Sequence, residues 1–257
     1  MEWLFHLPVI WMSAIVLGAF AVVAIVIHGI LARVARRGFA PVFKGISPVM
    51  LTPLAVIFGL IIGFLSAQVW SDGQVAHAMV VHEAGALRQL DLLSASFPGD
   101  AGKNVRALVR RHIQQAVSEE WPAMAQDSGV LPPVSDADTE LLQLVIGLHA
   151  QGEAERTAQR EMMTALRTVV DARSERILIS VKKVDWVKWA VVLVLALLIL
   201  VTIAMIHCDN AGTTRVAMSL FVVAAAASVV LIASHNRPFT GALSVGPDLL
   251  LQVMPKD

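Results

Sequence analysis

Two short groups contain the residue types that bind metal ions. The first group is His77, His82 and Glu83. Its histidines are five residues apart, so on a helix their imidazoles point about 140° apart, unlike the i, i+4 pair of a zinc-protease helix. The second group, residues 207–209 (His-Cys-Asp), consists of adjacent residues, and three neighbours cannot all converge on one ion. We therefore predict no metal site and no cofactor.

Motifs of common enzymes are also missing. The sequence has no Gly-x-x-x-x-Gly-Lys phosphate loop and no His-Glu-x-x-His pair. Ser244 lacks the glycine two residues before it that a nucleophile elbow requires. The single cysteine, Cys208, excludes an intramolecular disulfide and a cysteine metal cluster. The sequence predicts a protein that is not an enzyme.

Four apolar runs organise the chain, at residues 9–32, 49–69, 186–206 and 216–234. Each has about the 20 residues that a helix needs to cross roughly 30 Å of hydrocarbon, and none alternates as barrel strands do. Hydrophobic residues make up 56% of the chain and charged residues 16%, which is typical of membrane proteins rather than soluble ones. We predict an all-α membrane protein with four transmembrane helices.

A long polar stretch between the second and third runs divides the chain. We predict a first transmembrane hairpin at residues 1–69, a helical soluble insert at 70–185, a second transmembrane hairpin at 186–235 and a C-terminal tail at 236–257. The formal net charge is zero, which argues against a nucleic-acid partner. Membrane lipid is the partner that these runs predict.

Basic residues crowd the short loop between the first two runs. Arg33, Arg36, Arg37 and Lys44 lie there, whereas residues 1–8 contain neither Lys nor Arg. The positive-inside rule then places this loop on the cytoplasmic side of a bacterial inner membrane. Both termini and the insert are then extracytoplasmic. An opposing basic cluster lies at the end of the insert. It belongs to a stretch of more than about 60 residues, where the rule loses weight.

Helical periodicity continues from the second run into the insert, and no proline interrupts it before Phe97. We predict one long helix that leaves the membrane and breaks at residues 96–100 (Ser-Phe-Pro-Gly-Asp). A second helix should run from Asp100 to Trp121, because Pro122 disfavours helix at the residue before it.

A Pro-Pro loop at residues 131–136 is followed by an apolar stripe at helical spacing. The stripe consists of Leu141, Leu144, Val145, Leu148, Leu166, Val169, Val170, Ile177, Val181 and Val184. It predicts helical structure that leads into the third membrane run and packs against the long helix from the second.

Four blocks of polar and aromatic residues stand out in the chain. They are residues 83–87 (EAGAL), residues 119–124 (EEWPAM), the Arg173-x-x-Arg176 pair and residues 236–241 (NRPFTG). Together they resemble the bestrophin-like DUF4239 family of bacterial and plant membrane proteins, over about residues 49 to 250. This chain has His112 where the family often has a tyrosine. The resemblance implies the architecture above and an ion channel, with anions as the carried ion.

A conduction pathway requires a symmetric homo-oligomer, because the four helices of one chain rarely enclose a water-filled path. Gly59 and Gly63 on the second membrane helix allow close helix packing. Four apolar side chains of this helix are the candidates for lining a narrow constriction. They are Phe58, Ile61, Leu65 and Val69. Ordinary packing against lipid or neighbouring helices is the competing interpretation.

The polar blocks have two interpretations as well, since their residues either line a vestibule or hold the structure together. The residues concerned are Glu83, Arg173, Arg176, Asn236, Arg237 and Phe239. Glu83 facing a water-filled vestibule favours permeation, whereas Glu83 paired with Arg173 or Arg176 favours a structural clamp. The alternative function is a non-conducting membrane sensor or partner-binding scaffold with a helical extracytoplasmic domain.

The lone thiol provides a test of the orientation. If the basic loop is cytoplasmic, Cys208 lies on the same side, because it follows two further membrane crossings. A membrane-impermeant maleimide should then miss Cys208 in intact cells and label it after permeabilisation. Full labelling of intact cells would invert the orientation and place the insert in the cytoplasm.

Overall fold

The structure is a computed structural model that describes residues 8–126, 136–241 and 243–255. Within these ranges the regular secondary structure is helical and no strand occurs, which confirms the all-α class. The helices are α1 (Val9–Val34), α2 (Ala40–Lys44), α3 (Leu51–Ser94), α4 (Asp100–Gln115), α5 (Trp121–Ala125), α6 (Asp136–Gly147), α7 (Glu153–Ser180), α8 (Trp186–Ile206), α9 (Ala211–Ser234) and α10 (Asp248–Gln252). Residues 131–135 of the predicted Pro-Pro loop lie outside the described residues.

Four of these helices, α1, α3, α8 and α9, are long and apolar enough to cross a membrane. α3 runs without a break for 44 residues, which confirms one continuous helix through the second apolar run and into the insert. It ends at the predicted Ser-Phe-Pro-Gly-Asp break, where Gly99 has a φ of 81° that favours glycine.

The chain forms two compact units. The apolar unit comprises residues 1–70 and 183–236, and the insert unit comprises residues 71–182 and 237–257. α3 contributes its first part to one unit and its second part to the other.

In the apolar unit, α1 packs most extensively against α9 and also contacts α8, and α8 contacts α9. The buried residues of α1 recur every three or four positions, which gives one continuous stripe. They are Met12, Val16, Phe20, Ala24 and Ile27. The pairing of sequence neighbours into two hairpins stays a prediction.

In the insert unit, α4 packs against α6 and α6 against α7. The core combines apolar side chains at helical spacing from α3, α4, α6 and α7, with further members in α5 and α10. Its fully buried members include Ala76, Val80, Leu87 and Leu90 of α3, Val105, Val109 and Ile113 of α4, Leu141 and Val145 of α6, and Met162 and Val169 of α7.

The predicted end of the second insert helix at Trp121 is wrong. α4 ends at Gln115, a wide π-helical turn follows at Ala116–Glu120, and α5 continues to Ala125. Pro122 follows the π-helical turn, and Glu120 and Trp121 before it keep helical φ and ψ angles. The helical backbone therefore continues through the proline instead of stopping before it.

The apolar stripe that was predicted to lead into the third membrane run is interrupted. α7 ends at Ser180 and α8 begins at Trp186. The side-chain oxygen of Asn236 accepts a hydrogen bond from the backbone N–H of Val184 at 2.8 Å. This contact satisfies a donor in the irregular link, which periodicity alone does not reveal.

Gly102 tests the close packing of α4 on the turn after α3. A Cβ at this residue would lie 2.5 Å from the backbone oxygens of Ser94 and Phe97. Gly102→Ala should therefore lower stability by about 1–3 kcal/mol, measured by thermal unfolding in detergent. Gly73→Ala is the matched control, because a Cβ there meets nothing within 4 Å in the interior of α3. It should stabilise slightly, by up to about 1 kcal/mol, and equal losses in both variants would contradict the packing argument.

Candidate functional site

Six ionisable side chains are buried together in the insert unit, and we call them the ionic cluster. They are Glu83, His112, Glu120, Asp138, Arg173 and Arg176, none more than 6% exposed. They come from α3, α4, the π-helical turn, α6 and α7. A buried charge is costly unless it is paired and hydrogen-bonded. The contacts within the cluster therefore decide how these helices pack.

The centre of the cluster is the pair of Arg176 and Glu83. Nε of Arg176 donates to one carboxylate oxygen of Glu83 at 2.7 Å, and a terminal guanidinium nitrogen donates to the other at 3.0 Å. Both side chains are 0% exposed. This two-point geometry is the strong form of an Arg–carboxylate contact, and it joins α3 to α7.

Arg176 also contacts the EEWPAM block. The guanidinium donates to Glu120 at 2.7 Å and lies 4.4 Å from the ring centroid of Trp121, a cation–π geometry. It also donates to the sulfur of Met124 at 3.6 Å. One buried arginine therefore contacts three residues of that block.

Arg173 lies one turn before Arg176 on α7 and contacts two carboxylates. Its Nε donates to Glu120 at 2.7 Å, and a terminal nitrogen lies 2.6 Å from the same oxygen. Nε also lies 3.9 Å from a carboxylate oxygen of Asp138. Glu120 is thus held by both arginines of the Arg-x-x-Arg pair.

His112 lies between two carboxylates. Its Nδ1 is 2.6 Å from Asp138 and its Nε2 is 3.0 Å from Glu83. Burial by itself would lower the pKa of His112, but the hydrogen bonds to Asp138 and Glu83 and the charges of these two groups outweigh it. They raise the pKa of His112 from the usual 6.5 to about 9. His112 is therefore a cation at neutral pH, and the cluster holds three cations and three carboxylates.

The chain after α9 packs on the same unit through Trp121. The Trp121 ring meets the Phe239 ring edge-on, with centroids 5.9 Å apart, and its N–H donates to the backbone oxygen of Val245 at 3.1 Å. The Thr240 hydroxyl donates to the backbone oxygen of Ala125, also at 3.1 Å. These contacts extend the ionic cluster to the NRPFTG block.

The structure brings together some of the sequence-predicted residues and not others. Glu83, Arg173 and Arg176 meet in the ionic cluster, and Phe239 contacts the Trp121 ring that lies over Arg176. Arg237 is buried in the insert unit. Asn236 lies in the apolar unit, where its side-chain oxygen accepts a hydrogen bond from the backbone N–H of Val184, just before α8.

Sequence reasoning did not select three members of the cluster as site residues, namely His112, Glu120 and Asp138. His112 lies among Val105, Val109 and Ile113 on the buried face of α4. A polar residue inside such a stripe is a signal for a buried partner. Asp138 carries no comparable signal, because acidic residues in the first turn of a helix are common.

Most of the predicted pore-lining residues lie in the core of the apolar unit. Phe58, Leu65 and Val69 are at most 9% exposed, and the Phe58 ring centroid is 5.7 Å from that of Phe221. Ile61 is half-buried. Pore lining by these four residues stays a prediction.

Comparison with known proteins gives the class of this chain. Residues 8–250 match the model of the bestrophin-like domain, so the chain belongs to the bestrophin-like family. No curated protein matches it.

Solved structures match its fold over nearly the whole chain. A mutant form of a bacterial bestrophin homolog from Klebsiella pneumoniae has a TM-score of 0.68 at 11% identity, covering 94% of this chain and 97% of that one. Another structure of a bacterial bestrophin homolog from Klebsiella pneumoniae has a TM-score of 0.59 at 12% identity, covering 94% and 95%. At such identities the likeness concerns the fold alone.

Removal of the central arginine tests the ionic cluster. Arg176→Met should destabilise the protein by about 3–5 kcal/mol, because it leaves Glu83 and Glu120 buried with too little positive charge. Arg111→Met is the matched control, since the Arg111–Glu140 pair is 52% and 50% exposed. That change should cost at most about 1 kcal/mol. Stability would be measured by thermal unfolding in detergent. If the two variants lose similar amounts of stability, burial is not the reason that the cluster stabilises the protein.

Proposed function

We propose that this protein is an ion channel formed by several symmetric copies of the chain, with α3 of each copy nearest the axis. Membership of the bestrophin-like family supports a role in the membrane. The observation that carries the proposal is the exposure of α3. Its most apolar 18-residue stretch is only 6% buried, against 28%, 33% and 39% for the corresponding stretches of α1, α8 and α9.

The exposed positions of α3 lie on one side of the helix, opposite its buried residues. In the apolar part, Val56 and Leu60 are 62% and 56% exposed, and Gly63 and Ala67 are exposed as well. Since Phe58, Leu65 and Val69 are buried, we assign the lining of the path to the exposed side. Small residues on that side allow helices of neighbouring copies to approach closely.

Anions are the ions that we propose for this path. In residues 73–90, the exposed positions of α3 include His77, His82 and Arg88. The single carboxylate in that range is Glu83, which is buried in the ionic cluster. The exposed guanidinium of Arg88, with no exposed carboxylate in residues 73–90, favours anions by simple electrostatics.

A non-conducting scaffold is the second candidate function, and the pairing of Glu83 favours it. Glu83 binds Arg176 and His112 rather than facing a vestibule, which is the arrangement expected of a structural clamp. In the channel proposal the same clamp holds α3 while its opposite side faces the path. Because the clamp is compatible with both candidates, ion flux is the property that distinguishes them.

Four crossings in two hairpins, an inner-membrane location and extracytoplasmic termini complete the proposal. With this orientation the insert unit is extracytoplasmic. Membrane lipid and inorganic ions are the partners, besides other copies of the chain.

Ion flux in liposomes tests the proposed function. Wild-type protein should conduct ions above the level of empty vesicles, with anions preferred. Leu60→Glu should raise the total flux, because a charge keeps an apolar constriction wet, and should weaken the preference for anions, because the carboxylate repels them. Leu65→Glu should instead impair folding, since a charge buried at the centre of a membrane helix costs about 2.5–3.5 kcal/mol.

Three other outcomes have distinct meanings. Wild-type protein and a well-folded Leu60→Glu variant that are both ion-tight would support the scaffold. If Leu65→Glu folds and raises the ion flux while Leu60→Glu leaves it unchanged, the path is lined by Phe58, Ile61, Leu65 and Val69 instead. A wild-type protein that conducts cations better than anions would overturn the proposal that anions are the carried ions.

A further inference from the structure

His112 makes two hydrogen bonds that only its protonated form can donate. Asp138 and Glu83 each offer a carboxylate oxygen, one to Nδ1 and one to Nε2. A neutral imidazole carries one N–H, whereas the imidazolium carries two. Loss of one proton would therefore leave one of these carboxylates facing a bare ring nitrogen. All three side chains are at most 2% exposed, so water has little access to replace the lost donor.

The charges around His112 lead to the same conclusion. The facing groups are Glu83 on α3, Asp138 on α6, Arg173 and Arg176 on α7, and Glu120 in the π-helical turn. Among these, two cations face three carboxylates. Protonated His112 balances the charge of these five groups, and neutral His112 leaves the six-residue cluster with one excess buried negative charge.

We propose that His112 is a positioning residue whose protonated ring holds α3 to α6 through Glu83 and Asp138, and that its deprotonation at alkaline pH releases this tie and changes ion flux. The claim about flux rests on the proposed function. The claim about the tie stands on the geometry of the insert unit alone.

The release is partial because Glu83 has a second partner. Arg176 binds both oxygens of Glu83 and does not titrate in this pH range, so α3 stays bound to α7 when His112 loses its proton. A neutral ring keeps one N–H, so it loses either the contact to Glu83 or the contact to Asp138, and in both cases the connection from α3 through α4 to α6 is broken. We therefore expect a loosened insert unit at high pH and not an unfolded one.

The pH range follows from the sign of the shift. The folded-state pKa of His112, about 9, lies above the usual 6.5. The stabilisation is therefore fully present below about pH 6.5 and is lost as pH rises through about 9. The sequence contains no tyrosine, which removes one other group that titrates near pH 10.

A charge-balanced double variant tests the tie. His112→Gln with Asp138→Asn leaves two carboxylates against two arginines, a balance that no longer depends on pH in this range. We would measure thermal midpoints in detergent between pH 6.5 and 10.5. The midpoint of the wild type should fall by about 3–5 °C more than that of the double variant across pH 8–10. The control, His149→Gln, changes an exposed histidine and should follow the wild type.

Parallel slopes in the wild type and the double variant would overturn the role of His112. The single variant His112→Gln should be less stable than the double variant at pH 7, because it retains the unbalanced carboxylate. Its failure to fold beside a folded double variant would agree with the proposal. Equal stability of the two would contradict it.

Liposome flux over the same pH range separates the two claims. Flux that changes between pH 8 and 10 in the wild type but not in the double variant would support both. A conducting protein whose pH profile is the same in both would overturn regulation by His112 and leave the channel intact. An ion-tight wild type that still shows the expected difference in thermal midpoints would overturn the channel and keep the tie.

Discussion

The buried pair of Arg176 and Glu83 is the interaction on which the insert unit depends. Two fully buried charges at hydrogen-bond distance join α3 to α7, and neither can lose its partner without leaving a charge in the core. Glu120, Arg173, His112 and Asp138 extend the pair to the other helices. The edge-on contact of the Trp121 and Phe239 rings extends it to the C-terminal segment.

This constraint fixes one side of α3 in the insert unit, where Glu83 is buried together with Ala76 and Val80. In the apolar unit, Leu65 and Val69 of the same helix are buried. Among the described residues, the most apolar 18-residue stretch of α3 is only 6% buried. In the proposed channel, the exposed side of this stretch faces the ion path.

Much of the architecture followed from the sequence because run length and periodicity are local properties. The four membrane-spanning candidates, the continuous α3 and its break before Gly99 are all of this kind. The π-helical turn before Trp121 was missed, because a proline only disfavours helix at the residue before it, and the sequence does not show that a wide turn lets the helix continue. The break before α8 was missed because the stripe continues to Val184 and its stabilising contact comes from Asn236, 52 residues away.

The site was predictable only in part, for a different reason. The family resemblance singles out Glu83, Arg173 and Arg176, and the pairing of Glu83 with one of the arginines is one of the two arrangements that the sequence leaves open. Which carboxylate meets which cation depends on the packing of five elements, and sequence spacing contains no such information. His112 and Asp138 are 26 residues apart and meet only because α4 packs against α6.

The central claim is that the exposed side of α3 faces the ion path, and modification of a single introduced thiol tests it most directly. In a Cys208→Ser background, Leu60→Cys places the thiol on that side. The control, Leu198→Cys, places a thiol on α8 at a position that is 44% exposed. Flux in liposomes would be recorded before and after a charged thiol reagent. The account predicts a change in flux for Leu60→Cys and none for Leu198→Cys. No change for either variant, or the same change for both, would contradict it.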